Sequence, residues 1–159
     1  MGVAGCGKSS LAGAVASLTG LTLIEGDDFH SLSSVAKMRA GIPLSDADRV
    51  PWLAKLGAEL TRHRGGAILA CSALKHDYRV QLRDAVPDLK FVFLEIDRDT
   101  ALIRVAARRE CHSFPASLLD SQFAALEDPT NEPGVLTLRA AQDPAALSTA
   151  VLAWMTGRG

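Results

Sequence analysis

Apolar positions along this chain follow two rhythms. Short, nearly unbroken apolar runs fall at 21–25, 67–71, 91–96 and 135–138. They read as four β-strands, and the middle two resemble parallel strands covered on both faces. Between them the apolar spacing changes to that of a helix. Helical patterns cover 8–19, 33–40, 50–63, 75–85, 100–109, 116–127 and 144–155. In the third, Leu53, Leu56 and Leu60 share one face, and the pattern stops before Gly65-Gly66. The first is closed by Gly20, and the fourth stops before Pro87. Strands alternating with helices predict an α/β fold with a mostly parallel sheet.

Composition narrows this picture. With 159 residues the chain suffices for one domain, and 48% apolar content places it among globular proteins. A net charge of −1 gives no reason to expect nucleic-acid binding. No run approaches the length of a membrane span, and no charged start followed by an apolar stretch marks a signal peptide. The three cysteines, Cys6, Cys71 and Cys111, suggest neither a metal site nor a disulfide framework. A reducing cytoplasm is the expected location.

The chemistry begins at the start of the chain. Gly2-Val3-Ala4-Gly5-Cys6-Gly7-Lys8-Ser9 reads G-x-x-x-x-G-K-[ST], the P-loop pattern. Such a loop turns successive N–H groups inward around an anion, and the following helix adds its positive end. Residues Gly2 to Ser10 are therefore the candidate ATP-binding segment. Lys8 reaches the terminal phosphates, and the Ser9 hydroxyl is a candidate Mg²⁺ ligand. A thiol at Cys6, beside Lys8 and a helix N-terminus, is either an acidic, reactive group or a small filler. The motif calls for a buried strand before it, and only Met1 precedes Gly2. The sequence thus predicts either an apolar, β-rich segment upstream or a fold lacking that strand.

The second strand-like run leads into Gly26-Asp27-Asp28-Phe29-His30, at the carboxyl edge where ligands bind in parallel sheets. Asp27 or Asp28 is placed to accept a proton from a substrate hydroxyl or to hold Mg²⁺ through water. Downstream, Asp46 and Asp48 stand ahead of a helix, where capping accounts for one of them. Arg49 has no such reason to be there, since a cation near a helix N-terminus is disfavoured, and it points to an anionic partner. Lys75 and Arg79 are spaced to clamp a carboxylate or phosphate.

Taken in order, these segments resemble the gluconokinase family. The resemblance rests on the P-loop, Gly26-Asp27 with His30, and Lys37-Met38 through Gly41, Pro43-Leu44, Asp46, Asp48-Arg49 and Pro51-Trp52-Leu53. It continues through Cys71-Ser72-Ala73-Leu74-Lys75, Tyr78-Arg79, Leu118-Leu119, Ser121-Gln122-Phe123, Leu126-Glu127 and Pro129. It implies a three-layer, shikimate-kinase-like P-loop kinase fold, ATP- and Mg²⁺-dependent phosphorylation of D-gluconate at its 6-hydroxyl, and often a homodimer. By the same resemblance Lys8, Asp27 and Arg108 are the catalytic candidates. His30, Lys37, Arg49, Lys75 and Arg79 join Asp27 as substrate-binding candidates. One domain over 1–159 is expected, with a mobile lid segment around 104–122 on which Arg108 and Arg109 compete for the lid-arginine position. The chain departs from the family pattern at Ser31 and Ser34, usually Pro and Asn, around His112, and at Arg139, usually Asp. A kinase for another small hydroxy acid such as shikimate, or a non-catalytic nucleotide-binding paralogue, is the alternative.

Overall fold

In the computed structural model, residues 1–107 and 117–157 are described. Their elements run α1 (Lys8–Thr19), β1 (Thr22–Glu25), a 3₁₀ turn (Gly26–Phe29), α2 (Leu32–Arg39), α3 (Asp46–Arg62), β2 (Ala67–Ala70) and α4 (His76–Ala85). Then follow β3 (Phe91–Glu95), α5 (Arg98–Ala107), α6 (Ser117–Ala125), β4 (Val135–Arg139) and α7 (Pro144–Met155). Helices cover both faces of parallel strands, which is the predicted three-layer α/β architecture.

The strands form two parallel pairs. β1 pairs with β2 from Thr22 opposite Ala67, and β3 pairs with β4 from Phe91 opposite Val135. Met1 and Gly2 lie between the pairs. Met1 donates to Val92 O at 2.5 Å and accepts from Leu94 N at 3.0 Å, while Gly2 donates to Ser72 O at 3.1 Å. Among the described residues no strand precedes the P-loop, so the sheet is joined at its centre by two residues only.

Side chains alternate across the strands as the pleat requires. Leu69 and Phe91 pack toward Trp52, Leu53 and Leu56 of α3 and Leu82 of α4. Leu94 and Leu138 pack on the other face, toward Leu11 of α1 and Leu147 of α7.

Local signals explain most boundaries. Gly20 ends α1 in the left-handed conformation at φ 74°, with its N–H on Ala16 O. Asp143 caps α7 by accepting from Ala145 N and Ala146 N, with Pro144 in the first turn. Ser31 caps α2 through Ser34 N, so this departure from the family pattern is an N-cap. The third helix begins at Asp46, four residues before its predicted start at 50, because Ser45 and Asp48 form a capping box.

Candidate active site

The phosphate loop is built from backbone. Gly7, at φ 98°, is the N-cap of α1 and supplies no side chain to cap it. The other helices with this turn resolved by a polar side chain, α2, α3 and α7, spend that turn's N–H groups on Ser31, Ser45 or Asp143. The first-turn donors of α1 thus keep their bonding capacity for an anion, at the positive end of the helix. Beside Gly7 the space a Cβ would fill is open. Gly2 is required for a different reason: a Cβ there would come within 2.9 Å of Leu94 O and of Cys6 Sγ. Val3 and Cys6 turn their side chains into the core, each 2% exposed, and contribute only backbone to the loop. Cys6 therefore takes the filler reading, because an alkylating or oxidising reagent has no access to a thiol packed against Leu94 and Leu147.

Lys8 Nζ reaches back across the loop to Val3 O at 3.0 Å. Ser9 Oγ donates to Glu25 Oε2 at 2.9 Å. Glu25 is the last residue of β1, so this bond joins the phosphate loop to the strand end that carries Asp27. A hydroxyl and a carboxylate so placed are hard oxygen donors that suit Mg²⁺. No group of three metal-ligating side chains exists among the described residues. A cation here would accordingly share its ligands with bound phosphates, the usual arrangement for Mg²⁺. Ser10 is exposed on the first turn of α1. Ala4 N donates to Gln122 Oε1 at 2.6 Å, which ties the loop to α6.

Asp27 stands on the 3₁₀ turn with its side chain 92% exposed. The turn is held from beneath. Trp52 Nε1 donates to Gly26 O at 2.7 Å, and Gly26 lies so close to Ala70 O that a Cβ would approach it to 2.7 Å. His30 stacks on Trp52 with ring centroids 4.4 Å apart and planes 12° from parallel. Burial lowers the His30 pKa and keeps the ring neutral, while Asp27, 3.9 Å away, opposes that shift. Its Nδ1 is buried without a hydrogen-bond partner.

The cationic candidates separate once their partners are known. Lys37 makes a two-pronged contact with Asp48, 2.7 and 2.9 Å, which holds the Asp48 carboxyl far below its ordinary range. Lys75 binds both oxygens of Asp46 at 2.8 Å. Tyr78 OH also donates to Asp46, and these hydrogen bonds, Lys75 first, lower the Asp46 pKa. Arg49 Nη1 donates to Leu44 O. Arg49 and Lys75 both lie 5.7 Å from the centre of the Tyr78 ring. The structure thus gathers Arg49, Lys75, Asp46 and Tyr78 into one charged cluster.

Arg79 does not join that cluster, which corrects its expected pairing with Lys75 as a clamp. It is 1% exposed. Its guanidinium donates to Ala73 O and Leu74 O at 2.9 Å each, to Glu127 O at 3.2 Å, and to both Glu132 oxygens. The reason is geometric. Lys75 is the N-cap of α4 and lies outside the helix, whereas the Arg79 side chain leans toward the N-terminus and meets the carbonyls of the preceding loop. Glu132 also receives Arg83 and His76, and the Arg79 bonds hold its pKa down at about 2. Ala73 carries a positive φ of 41°, stabilised by this grip on its carbonyl. Arg108 and Arg109, the lid candidates, lie outside the described residues.

Three residues make contacts that the sequence did not assign to them: Glu25, Gln122 and Glu132. Glu25 alone had a usable signal, since it ends a strand beside the Gly26-Asp27 pair. The other two act across distances of 118 and 53 residues, where spacing carries no information.

No protein-family model matches the chain. Individual relatives do. The chain is 44% identical over 148 residues to a gluconokinase of Gluconobacter oxydans, covering 91% of this chain and 82% of that one. It is 43% identical over 132 residues to a thermosensitive gluconokinase of Escherichia coli, covering 81% and 70% respectively. A crystal structure of a gluconokinase from Sinorhizobium meliloti superposes with a TM-score of 0.89 at 41% identity, covering 99% of this chain and 89% of that one.

Proposed function

The chain belongs to the gluconokinase family, and we propose that it transfers the γ-phosphoryl group of ATP to the 6-hydroxyl of D-gluconate. The observation that carries this reading is a shared edge. Ser9 of the phosphate loop is bonded to Glu25, two residues before the exposed carboxylate of Asp27, and the Arg49–Lys75 cluster supplies cations for an acid.

Each part of the reaction has a residue to serve it. The uncapped first turn of α1 and Lys8 hold the ATP phosphates. Ser9 and Glu25 would hold Mg²⁺, which when bound neutralises charge between the β- and γ-phosphates. Asp27 orients the 6-hydroxyl and accepts its proton. The hydroxyl oxygen bonds to the γ-phosphorus, the bond to the β–γ bridging oxygen breaks, and ADP leaves. Lys75 and Arg49 bind the carboxylate end of gluconate. The stacked His30–Trp52 pair walls the pocket, and Lys37 acts through Asp48 on the start of α3. Arg79 is a positioning residue that fixes the loop carrying Lys75. Arg108 keeps the role its sequence position assigns, supply of positive charge to the transferring group. The reading includes a homodimer in the cytoplasm; among the described residues no helix is long and apolar enough to cross a membrane.

The test is ADP release measured across gluconate, related sugar acids and shikimate. Turnover with gluconate well above all others is the expected result. ATP binding without turnover on any of them would end the proposal.

A further inference from the structure

Among the described residues, His30 Nδ1 is the buried polar side-chain atom left without a hydrogen bond. The His30 side chain is 5% exposed, so it offers a substrate little surface of its own. It is also held firmly. Its ring lies on Trp52 of α3, and Trp52 Nε1 donates to Gly26 O at the start of the same 3₁₀ turn. His30 N donates to Asp27 O at 3.4 Å and closes the turn. Residues three apart on a 3₁₀ turn eclipse one another, so His30 faces Asp27, whereas Asp28 falls on another side. The distance from Nε2 to Asp27 Oδ1 is 3.9 Å.

A neutral imidazole carries a single N–H, and its surroundings decide which nitrogen holds it. Burial and the nearby charge of Arg49 keep this ring neutral against the pull of Asp27. With the hydrogen on Nδ1 there would be two faults: a buried donor without an acceptor, and a bare Nε2 lone pair facing a carboxylate. With the hydrogen on Nε2 there is one, an unpaired acceptor at Nδ1, which folded proteins tolerate more readily than an unpaired donor. Nε2 is therefore the protonated nitrogen, and its N–H faces Asp27. The remaining gap closes from one side. Asp27, 92% exposed, has room to rotate, and the stacked imidazole does not.

We propose that His30 is a positioning residue for phosphoryl transfer: its Nε2–H donates to one oxygen of Asp27 and thereby turns the other toward the attacking hydroxyl. This role rests on the reading of Asp27 as the proton acceptor. An exposed carboxylate left to rotate presents its oxygens in many directions. Anchoring one oxygen fixes the second, and orientation of this kind weighs heavily in a rate. Trp52 sets both the ring and the Gly26 carbonyl, which makes α3 the reference for the whole turn. The spacing also separates the two neighbouring aspartates, because only Asp27 lies three residues before His30.

Imidazole nitrogen NMR spectra of the full chain, without substrate, read the tautomer. Nε2 is expected to appear as the protonated nitrogen and Nδ1 as the bare one. Asp27→Ala should move the Nε2 signal, and Asp28→Ala should leave it in place. A proton on Nδ1, or equal shifts from the two variants, would overturn the proposal. Steady-state kinetics test the consequence. His30→Phe keeps a ring on Trp52 and removes the donor. Its kcat should fall about 10- to 100-fold, the scale of a misplaced reacting group, while the KM for gluconate and for ATP change less than about twofold. His30→Gln, whose amide nitrogen reaches the Nε2 position, should recover most of the lost kcat. In an Asp27→Asn background His30→Phe should cost almost nothing further, since its effect passes through the lost carboxylate. A raised gluconate KM with kcat retained, or an equal loss of kcat in both backgrounds, would overturn the proposal and leave His30 as a wall of the pocket. Failure of the kinase reading is seen separately, as absence of gluconate turnover in the unaltered chain, and removes this role with it.

Discussion

Asp27 and Lys75 are both charged, and their surroundings give them different work. Among the described residues Asp27 has no cation within salt-bridge distance; the neutral His30 ring lies 3.9 Å away, and the carboxylate is open to a hydroxyl substrate. Asp27→Asn keeps the shape and removes the proton acceptor. Its kcat should fall by about 10²–10³, the usual loss when one group matched to the transition state is removed, with an unchanged circular dichroism spectrum. Near-normal turnover would transfer the role to Asp28. Lys75 is held by Asp46, so a substrate carboxylate must take the ammonium from an existing partner. Lys75→Met should raise the KM for gluconate about 10- to 100-fold, the equivalent of one charge-assisted bond of about 1.5–3 kcal/mol, and leave the KM for ATP nearly unchanged. An equal rise in both would place Lys75 on the nucleotide instead.

At the scale of elements, Glu132 links α4 to the segment that precedes β4. It neutralises a guanidinium that is almost wholly buried, and that guanidinium in turn holds the carbonyls of Ala73 and Leu74. Glu132→Gln leaves the buried charge uncompensated and should cost about 3–5 kcal/mol of stability, seen as a lower urea midpoint with an unchanged slope. Helix ends set by neighbouring residues were legible in the sequence: α1 and α7 occupy their predicted spans, because Gly20 and Pro144 act locally. The four strand positions were legible too, from their apolar runs. The start of α3 was not, since Pro51 and Arg49 obscured the Ser45–Asp48 capping box. Nor was the fate of Arg79. Lys75 and Arg79 look alike in a list of cations, and only the fold shows that Arg79 is pledged to Glu132, 53 residues away, while Lys75 joins Asp46 and Tyr78.

For the molecule as a whole, the groups that titrate on the acid side act in one direction. His30 and Glu132 both have pKa values below their ordinary 6.5 and 4.5, the first through burial and the second through Arg79. In each case the unfolded chain binds a proton before the folded one, so stability is present above the ordinary pKa and lost as pH falls. Tm should therefore decline in two stages on acidification, first toward about 6 as the buried Met1 amine and His30 are forced to charge, then below 4.5 with loss continuing toward about 2 as Glu132 and the hydrogen-bonded aspartates protonate. His30→Phe, which retains a ring against Trp52, should shrink the first stage, leaving the Met1 share of it, and leave the second unchanged. A single-stage profile in the unaltered protein would contradict this assignment.

The two tryptophans divide the molecule optically. Trp52 lies against His30 at the carboxyl edge, and Trp154 lies on α7 with Lys90 5.2 Å from its ring. Light emitted from the first indole reports on ligands and on imidazole charge; light from the second reports on the packing of α7. Replacing either one with phenylalanine leaves a protein whose remaining fluorescence watches one region alone, so substrate capture and the loosening of the last helix can be timed separately.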